Sequence, residues 1–520
     1  MDSSMVKIRD RIFVFMCLCM PFLCTPKILN MNFLGGPIGQ DLILYPILLL
    51  FLYTVYVTIN KKNIFISTVI FKRYLSVYIV TLLVSSIIGI FIFPYYDVIF
   101  NGPVDQIEKL AKLMDVLQNH HIAYDQNLLI GFWLIGRSIK VVLFQFLYTF
   151  FFSYLIYCWY KNNYKKALDI ILKSIKVISS FAILYAAIQI FYYMGFELAR
   201  NILVVINPIV HDIEVGMGWY PPLLWSPARL RSFFPEPSYL GMYIAFALPF
   251  LWMDFLRTTR WFSLFLIAML EIICFLTYSK TAVMLNLGES VLFFCLCMVC
   301  KNKDYFKKNV ILVLTFLLAF SASGLIGSQF TNSPIKSVKS ADYMTQYLES
   351  NVSGVTKKES GSNGARFSVI KSELRIWEKY PILGVGAGKR DCYIGDFLTD
   401  EEKKNAELAN CLKYQEKLGL LKSGFPTPCE YSTDLAELGI VGTLVKLFPF
   451  IMLFGGFFKY RKRIFSSSDK LDFITVVIAM IGCVVNGFSN HLTVIYTTWI
   501  LLGLAFAMLR SITFYMETKR

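Results

Sequence analysis

Runs of about twenty consecutive apolar residues recur along most of the chain, and each is long enough to cross a hydrocarbon layer as a helix. They cover 11–25, 42–60, 74–95, 139–160, 175–196, 238–256, 260–278, 282–300, 309–328, 434–458, 471–488 and 492–515. Of 520 residues, 56% are hydrophobic and 17% charged, whereas soluble domains carry about a quarter charged. That leaves too few polar side chains to cover a surface in water, while lipid solvates an apolar exterior. Backbone polar groups in lipid must be satisfied within their own segment, so runs of this length read as helices. The expected fold is all-α, a polytopic transmembrane helical bundle of about 12 spans.

In a soluble protein the formal net charge of +16 would invite a nucleic-acid reading. The placement of the charge argues otherwise. Basic clusters fall at alternate connections: Lys61, Lys62, Lys72 and Arg73; Lys161, Lys165 and Lys166; Arg257 and Arg260; Lys301, Lys303, Lys307 and Lys308; Lys459, Arg461, Lys462, Arg463 and Lys470; then Lys519 and Arg520. The short connections between them are nearly free of Lys and Arg, apart from Lys27 and Lys280. Cytoplasmic loops collect basic residues, so both termini are expected inside, and no nucleic-acid partner is expected. Lys7, Arg9 and Arg11 before an apolar run resemble a signal peptide, but no small-residue cleavage site follows, so the run reads as a span. On this orientation three outer connections are long: 96–138, 197–237 and 329–433. The expected organisation is nine spans in 1–328, a large outer loop over 329–433 and three spans in 434–520. The loop is expected to be partly helical, with an amphipathic helix over 365–380. The stretch 104–118 also has helical spacing, with Leu110, Leu113 and Leu117 against Glu108, Lys109 and Lys112. The absence of an internal repeat and the charge-poor spans weigh against a transporter.

Nine of the twelve cysteines lie in these spans, where they act as small hydrophobes. Cys392, Cys411 and Cys429 share the last long loop; in an oxidising compartment one pair can bridge, and spacing does not say which. His120, His121, His211 and His491 have no metal-ligand spacing, and no metal is expected.

Four stretches carry residues suited to chemistry. The first is Arg229-Leu-Arg231-Ser-Phe-Phe-Pro235-Glu236-Pro237-Ser238 at the end of the second long loop. Arginine forks match phosphate oxygens in pairs, and the flanking prolines stiffen Glu236; an interfacial Arg–Glu pair ending a helix is the plainer alternative. The second is Gly361-Ser-Asn-Gly-Ala-Arg366, followed by Arg375, Trp377, Pro381 and Gly384-Val-Gly386-Ala-Gly388-Lys389-Arg390. Arg366 and Arg375 fall on opposite faces of one helix. The glycines allow backbone N–H groups close to an anion, but the run lacks the spacing of a nucleotide loop. The third is Ser279-Lys280-Thr281, a short turn in which Lys280 binds an anion or snorkels to the interface. The fourth is Asp434-Leu-Ala-Glu437-Leu-Gly439-Ile-Val-Gly442, where the acids suit a helix start.

In this order the stretches resemble the O-antigen polymerase and ligase superfamily. Arg229 to Ser238 matches its Arg-x-Arg signature before a span, and Ser279-Lys280-Thr281 loosely matches its short outer turn. Arg366, Trp377, Pro381, Gly384 and Gly386 fit its Arg, Trp, Pro-x-x-Gly-x-Gly series. Leu435, Glu437, Gly439, Ile440 and Gly442 fit its return helix. The resemblance covers about 225–510. Arg375 to Gly386 also fits the Arg-x10-Gly spacing of the polymerase members, while Arg231 to Gly241 is one residue short. The ligase branch has a catalytic His just before the return helix, where this chain has Pro428 and Cys429, so the match favours polymerase.

The resemblance implies a GT-C-like bundle in a bacterial inner membrane that polymerises undecaprenyl-pyrophosphate-linked oligosaccharide repeats on the outer face. Its implied partners are the lipid-linked donor and acceptor, membrane lipids and a chain-length regulator protein, and it implies no cofactor. Arg229, Arg231 and Arg366, with Arg375 and Lys280 behind them, are the expected pyrophosphate ligands. Glu236 is the expected base and Glu437 the second carboxylate. A ligase-type transferase and a lipid-linked oligosaccharide flippase are the alternative readings.

Overall fold

The computed structural model describes residues 3–22, 29, 39, 41–60, 69–211, 228–300, 302–331 and 362–517. Residues 23–25 of the first expected span, Cys24, Lys27, Lys61, Lys62, Lys301, Gly361, Lys519, Arg520 and loop stretches 212–227 and 332–361 lie outside them. Among the described residues regular structure is helical throughout. The helices are α1 (Ser3–Leu18), α2 (Leu44–Ile59), α3 (Val69–Phe91), α4 (Tyr96–Phe100), α5 (Glu108–Asn119), α6 (Gln126–Phe146), α7 (Phe152–Tyr160), α8 (Tyr164–Tyr193), α9 (Glu197–Val210) and α10 (Pro237–Thr258). There follow α11 (Trp261–Leu276), α12 (Lys280–Val299), α13 (Lys303–Gly327), α14 (Ser362–Lys379), α15 (Arg390–Phe397), α16 (Ala406–Leu418), α17 (Glu430–Lys459), α18 (Arg461–Ser466), α19 (Lys470–Asn486) and α20 (Tyr496–Glu517).

Among the described residues, eight helical segments are long and apolar enough to cross a membrane, and α2 and α11 are shorter apolar helices. The protein is an all-α polytopic membrane protein. Three boundaries differ from expectation. The first helix ends at Leu18. The span expected from 139 runs on from α6 through a π-helical turn at Leu147–Phe151 into α7, taking 126–138 out of the first long loop. The span expected at 434–458 is broken at Gly439 (φ 62°, ψ −169°).

Local chemistry starts several helices. Pro237 occupies the first turn of α10, where its fixed φ suits a helix and its missing N–H is not needed. The Asn163, Ser279 and Asn302 side chains accept backbone N–H groups at the starts of α8, α12 and α13, satisfying donors with no intrahelical partner. Within the bundle, α10 packs on α11, α12 and α19, and α17 packs on α3. A Cβ built on Gly241 of α10 would lie 2.2 Å from that of Ala282 on α12, so this glycine lets the two helices touch.

Expected cytoplasmic connections meet at one end. Lys165 pairs with Asp469 at 2.8 Å, Arg257 reaches Asp472 at 2.5 Å, and Lys308 donates to the Leu256 carbonyl at 2.8 Å. Long connections gather elsewhere. Ile99 and Leu110 of the first, with Phe93 just before it and Ile130 and Leu134 of α6, share an apolar core with Val369, Ile376, Tyr393, Leu408 and Phe425 of the last. Tyr95 Oη donates to Asp396 at 2.7 Å across this boundary. The described part of the large loop, 362–433, is therefore folded and built jointly with the first.

The spans are not as poor in charge as the sequence reading had them. Lys176–Asp254 and Lys446–Asp434 are ion pairs between largely buried side chains, at 2.6 and 2.7 Å, and Glu271 and Glu289 are also buried.

Candidate active site

The expected residues fall into groups built on different elements. The first surrounds the start of α10. Leu230 N–H donates to the Leu276 carbonyl at 3.0 Å, and the Arg229 guanidinium donates to the carbonyls of Thr277 and Tyr278 at 2.9 and 3.1 Å. Arg229 thus holds the end of α11, next to half-buried Lys280 at the start of α12. Arg231 is buried. The Gln189 side-chain oxygen Oε1 accepts the N–H groups of Arg231 and Ser232 at 3.3 and 2.8 Å, fixing a turn in which Ser232 has φ 53°. The Arg231 side chain donates to the Pro235 carbonyl at 3.3 Å, and its charge acts on Tyr185, Tyr193 and His211. Burial, and then that charge, pull the His211 imidazole down to about 3, so it is neutral. Glu236 is half-buried and accepts from Ser238 Oγ at 3.1 Å.

The second group is built around the break in α17. Val385 N–H donates to the Ala436 carbonyl and Gly386 N–H to that of Glu437, both at 2.9 Å. In return Ile440 N–H reaches Pro381 at 2.9 Å and Val441 N–H reaches Ile382 at 3.2 Å. The helix break frees these backbone groups, and the glycine run satisfies them; irregular backbone at membrane depth is tolerated where protein supplies such partners. Ser85 Oγ on α3 donates to the carbonyls of Leu383 and Glu437 at 2.8 and 3.0 Å. The Pro-x-x-Gly-x-Gly and Glu-x-Gly stretches are therefore two halves of one feature.

The Glu437 side chain accepts the Gly388 N–H and feels the Arg390 charge. Lys389 lies beside it, its Nζ donating to the Ser86 carbonyl at 3.2 Å. Burial pulls the Lys389 ammonium down to about 8, against the raising effect of Glu437. Arg390 is almost fully buried. It donates to Glu373 at 2.8 Å, to Thr427 at 3.2 Å and to the carbonyls of Phe425 and Pro426 at 2.9 and 3.1 Å. Burial raises Glu373 above the usual carboxylate range even with Arg390 alongside. This network ties the chain before α17 to α14 and α15.

Arg366 and Arg375 lie on the single helix α14, where nine residues of separation put them on opposite faces. Arg366 is exposed. Arg375 forks onto Glu402 at 2.7 and 3.1 Å and also donates to the Phe397 carbonyl at 2.7 Å. Cys392, Cys411 and Cys429 are free thiols, so the bridge left open by the sequence is not formed.

A third feature escaped the sequence reading. At the start of α17 the buried Glu430 carboxylate contacts Lys446 Nζ and His491 Nδ1, and it accepts the Leu492 N–H at 2.8 Å. Lys446 also reaches Asp434 at 2.7 Å. Sixteen residues of straight helix would put Glu430 and Lys446 about 24 Å apart, so only the break at Gly439 lets them meet. Asp434 thus has an ion-pair role rather than a capping one. Although Pro428 and Cys429 precede the return helix in sequence, a histidine does reach its start in space: His491 arrives there from the turn between α19 and α20. The signal available in sequence was a lone His in that tight turn.

The groups are linked through α19, which packs on α10 and α12 and whose end accepts Glu430 N–H at the Gly487 carbonyl, 2.8 Å away. Among the described residues no cluster of three or more His, Cys, Asp or Glu could hold a metal ion. Comparison with curated proteins gives no match. Over residues 262–448 the chain matches the O-antigen ligase family, a stretch that includes Lys280, α14, the glycine run and the break in α17, and this match supports its place in the O-antigen polymerase and ligase superfamily of glycan-processing membrane enzymes.

Proposed function

We propose that the chain polymerises oligosaccharide repeats carried on undecaprenyl pyrophosphate, at the outer face of a bacterial inner membrane and with its basic connections in the cytoplasm. The bond between the growing glycan and its lipid pyrophosphate breaks, and the glycan bonds to a hydroxyl at the non-reducing end of a new lipid-linked repeat. That hydroxyl loses its proton to a carboxylate, and the pyrophosphate leaves with its negative charge. The donor is already activated, so no nucleotide cofactor is required.

Fixed cations facing the leaving group stabilise the developing charge, often the largest catalytic term. In this reading Arg231 and Arg366 hold the pyrophosphate and Lys280 adds charge. Arg229 and Arg375 position them, since their guanidiniums already bind carbonyls or Glu402. Glu236 is the base, with Glu437 as the second carboxylate. The carrying observation is the pairing of Pro381–Gly386 with the break in α17, which joins two family-like stretches into one built feature inside the matched region.

One observation favours a second reading. His491 against Glu430 supplies a histidine at the helix start where the ligase branch has one, and so supports transfer of finished glycan to a different acceptor. The test is the full-length protein in proteoliposomes, given a lipid-pyrophosphate-linked repeat alone and then with a second glycan acceptor. Polymer from the repeat alone supports polymerisation. Transfer only to the second acceptor supports ligation, and no transfer in either case overturns both.

A further inference from the structure

Glu271 of α11 is 1% exposed, and its Oε2 has no hydrogen-bond partner. Among the described residues no charge offsets its burial. The side chain lines a cavity of ≈ 280 Å³ bounded by α10, α11, α12 and α13. Ser290 of α12 lines the same cavity, and its hydroxyl is also without a partner. Trp252, Phe293, Phe294 and Phe316 give it an aromatic wall, with the Trp252 and Phe293 rings 5.2 Å apart. Asn309, a further lining residue, turns its amide nitrogen back to the Tyr305 carbonyl at 2.9 Å. Leu287, Val291 and Leu317 also line the cavity and are exposed on α12 and α13, two helices long and apolar enough to span a membrane. The cavity therefore opens sideways, between α12 and α13, towards lipid.

We propose that this cavity binds a lipophilic amine that enters from the membrane, its ammonium held by Glu271 and Ser290. An unpaired carboxylate in a low-dielectric interior is costly, and ionisable groups inside spans mark functional sites. None of the described lining residues is Lys, Arg or His, so the cation that balances Glu271 has to arrive with the ligand. An ammonium brings one positive charge, N–H donors for the carboxylate and the Ser290 hydroxyl, and attraction to aromatic faces. The apolar wall suits its hydrocarbon body. A long-chain alcohol would bond the same two groups and leave the charge unmet, and a fatty acid would add a second acid to the first. The site is independent of the glycan-transfer reading.

The test uses the full-length protein in lipid nanodiscs and a dodecylamine that carries a photoactivated diazirine on its chain. Crosslinked peptides are read by mass spectrometry. Labelling should concentrate on α11, α12 and α13 around the cavity, and unlabelled dodecylamine should suppress it. A charge-assisted hydrogen bond set against a neutral one predicts that dodecanol, at equal content in the membrane, competes about tenfold less well. Glu271→Gln keeps the shape of the side chain and should erase that preference. Val291→Trp, on the exposed flank, leaves the buried acid in place and should lower labelling by filling the mouth. Labelling spread evenly over all lipid-facing helices, or equal competition by dodecanol and dodecylamine in the wild type, would overturn the site. That wild-type comparison decides the matter even if Glu271→Gln fails to fold.

Discussion

The imidazole of His491, in the turn between α19 and α20, contacts the carboxylate of Glu430 at the start of α17, although the two are 61 positions apart in sequence. Burial alone would lower His491, but the Glu430 carboxylate outweighs it and holds the imidazole above its ordinary value. Lys446 and Asp434 complete the cluster that faces it.

A raised folded-state value means that the native state binds the His491 proton more tightly than the unfolded chain does. The stabilisation is therefore complete below the ordinary histidine value of about 6.5 and is lost as pH rises through the folded value. His491→Gln should lower the unfolding midpoint most at pH 6 and below, with the gap to wild type closing as pH rises. A gap independent of pH would mean that the contact does not depend on the proton.

Gly384 and Gly439 hold the break together. Both have positive φ, and a Cβ on either would come within 2.4 Å of backbone on the other segment, at Glu437 and at Ile382. Gly384→Ala and Gly439→Ala should each cost about 1–3 kcal/mol or more in strain and displaced backbone, read as reduced protein in membranes and a lower unfolding midpoint. Gly455, on the same helix with nothing within 4 Å of a built Cβ, is the control; Gly455→Ala should be neutral or stabilising by up to about 1 kcal/mol. Equal effects at all three would remove the special role of the break.

Arginine geometry separates pyrophosphate ligands from positioning residues. Lysine keeps the charge of arginine and loses the paired donors. A charge-assisted hydrogen bond contributes about 1.5–3 kcal/mol, so Arg231→Lys and Arg366→Lys should slow transfer about ten- to a hundredfold if the bond acts in the transition state. Arg375, partly exposed and paired to Glu402, should contribute about 1 kcal/mol or less to stability, and Arg375→Lys should leave transfer within about threefold of wild type. Glycan length on a gel, with a membrane blot for protein level, reads all three. Wild-type ladders from Arg366→Lys and Arg366→Ala at matched protein level would take Arg366 out of the mechanism.

The spans were legible because length and apolarity alone decide what crosses lipid. Helix α14 was legible from its period, and with it the opposed faces of Arg366 and Arg375. The fold-back of α17 was not, because a single positive-φ glycine inside an apolar run looks like any small residue in a span. The sequence shows Gly439 as part of a motif but not that Pro381–Gly386 satisfies the freed backbone. Arg390 read as one more charge after a glycine run, since its burial depends on Glu373 of α14 and on Pro426 and Thr427 before α17 converging from two distant segments. Asp434 fitted a capping role until the break brought Lys446 back to it. His491 was visible only as a lone residue in a turn, because its partner is set by how the end of α19 meets the start of α17.

The central claim is that the chain polymerises lipid-linked repeats, and the most direct measurement is the surface glycan ladder of a strain lacking it. The account predicts acceptors carrying a single repeat and no longer chains, with the ladder restored by the wild-type chain. Acceptors carrying no glycan would point to ligation, repeats trapped on the inner face would point to transport, and an unchanged ladder would contradict the account outright.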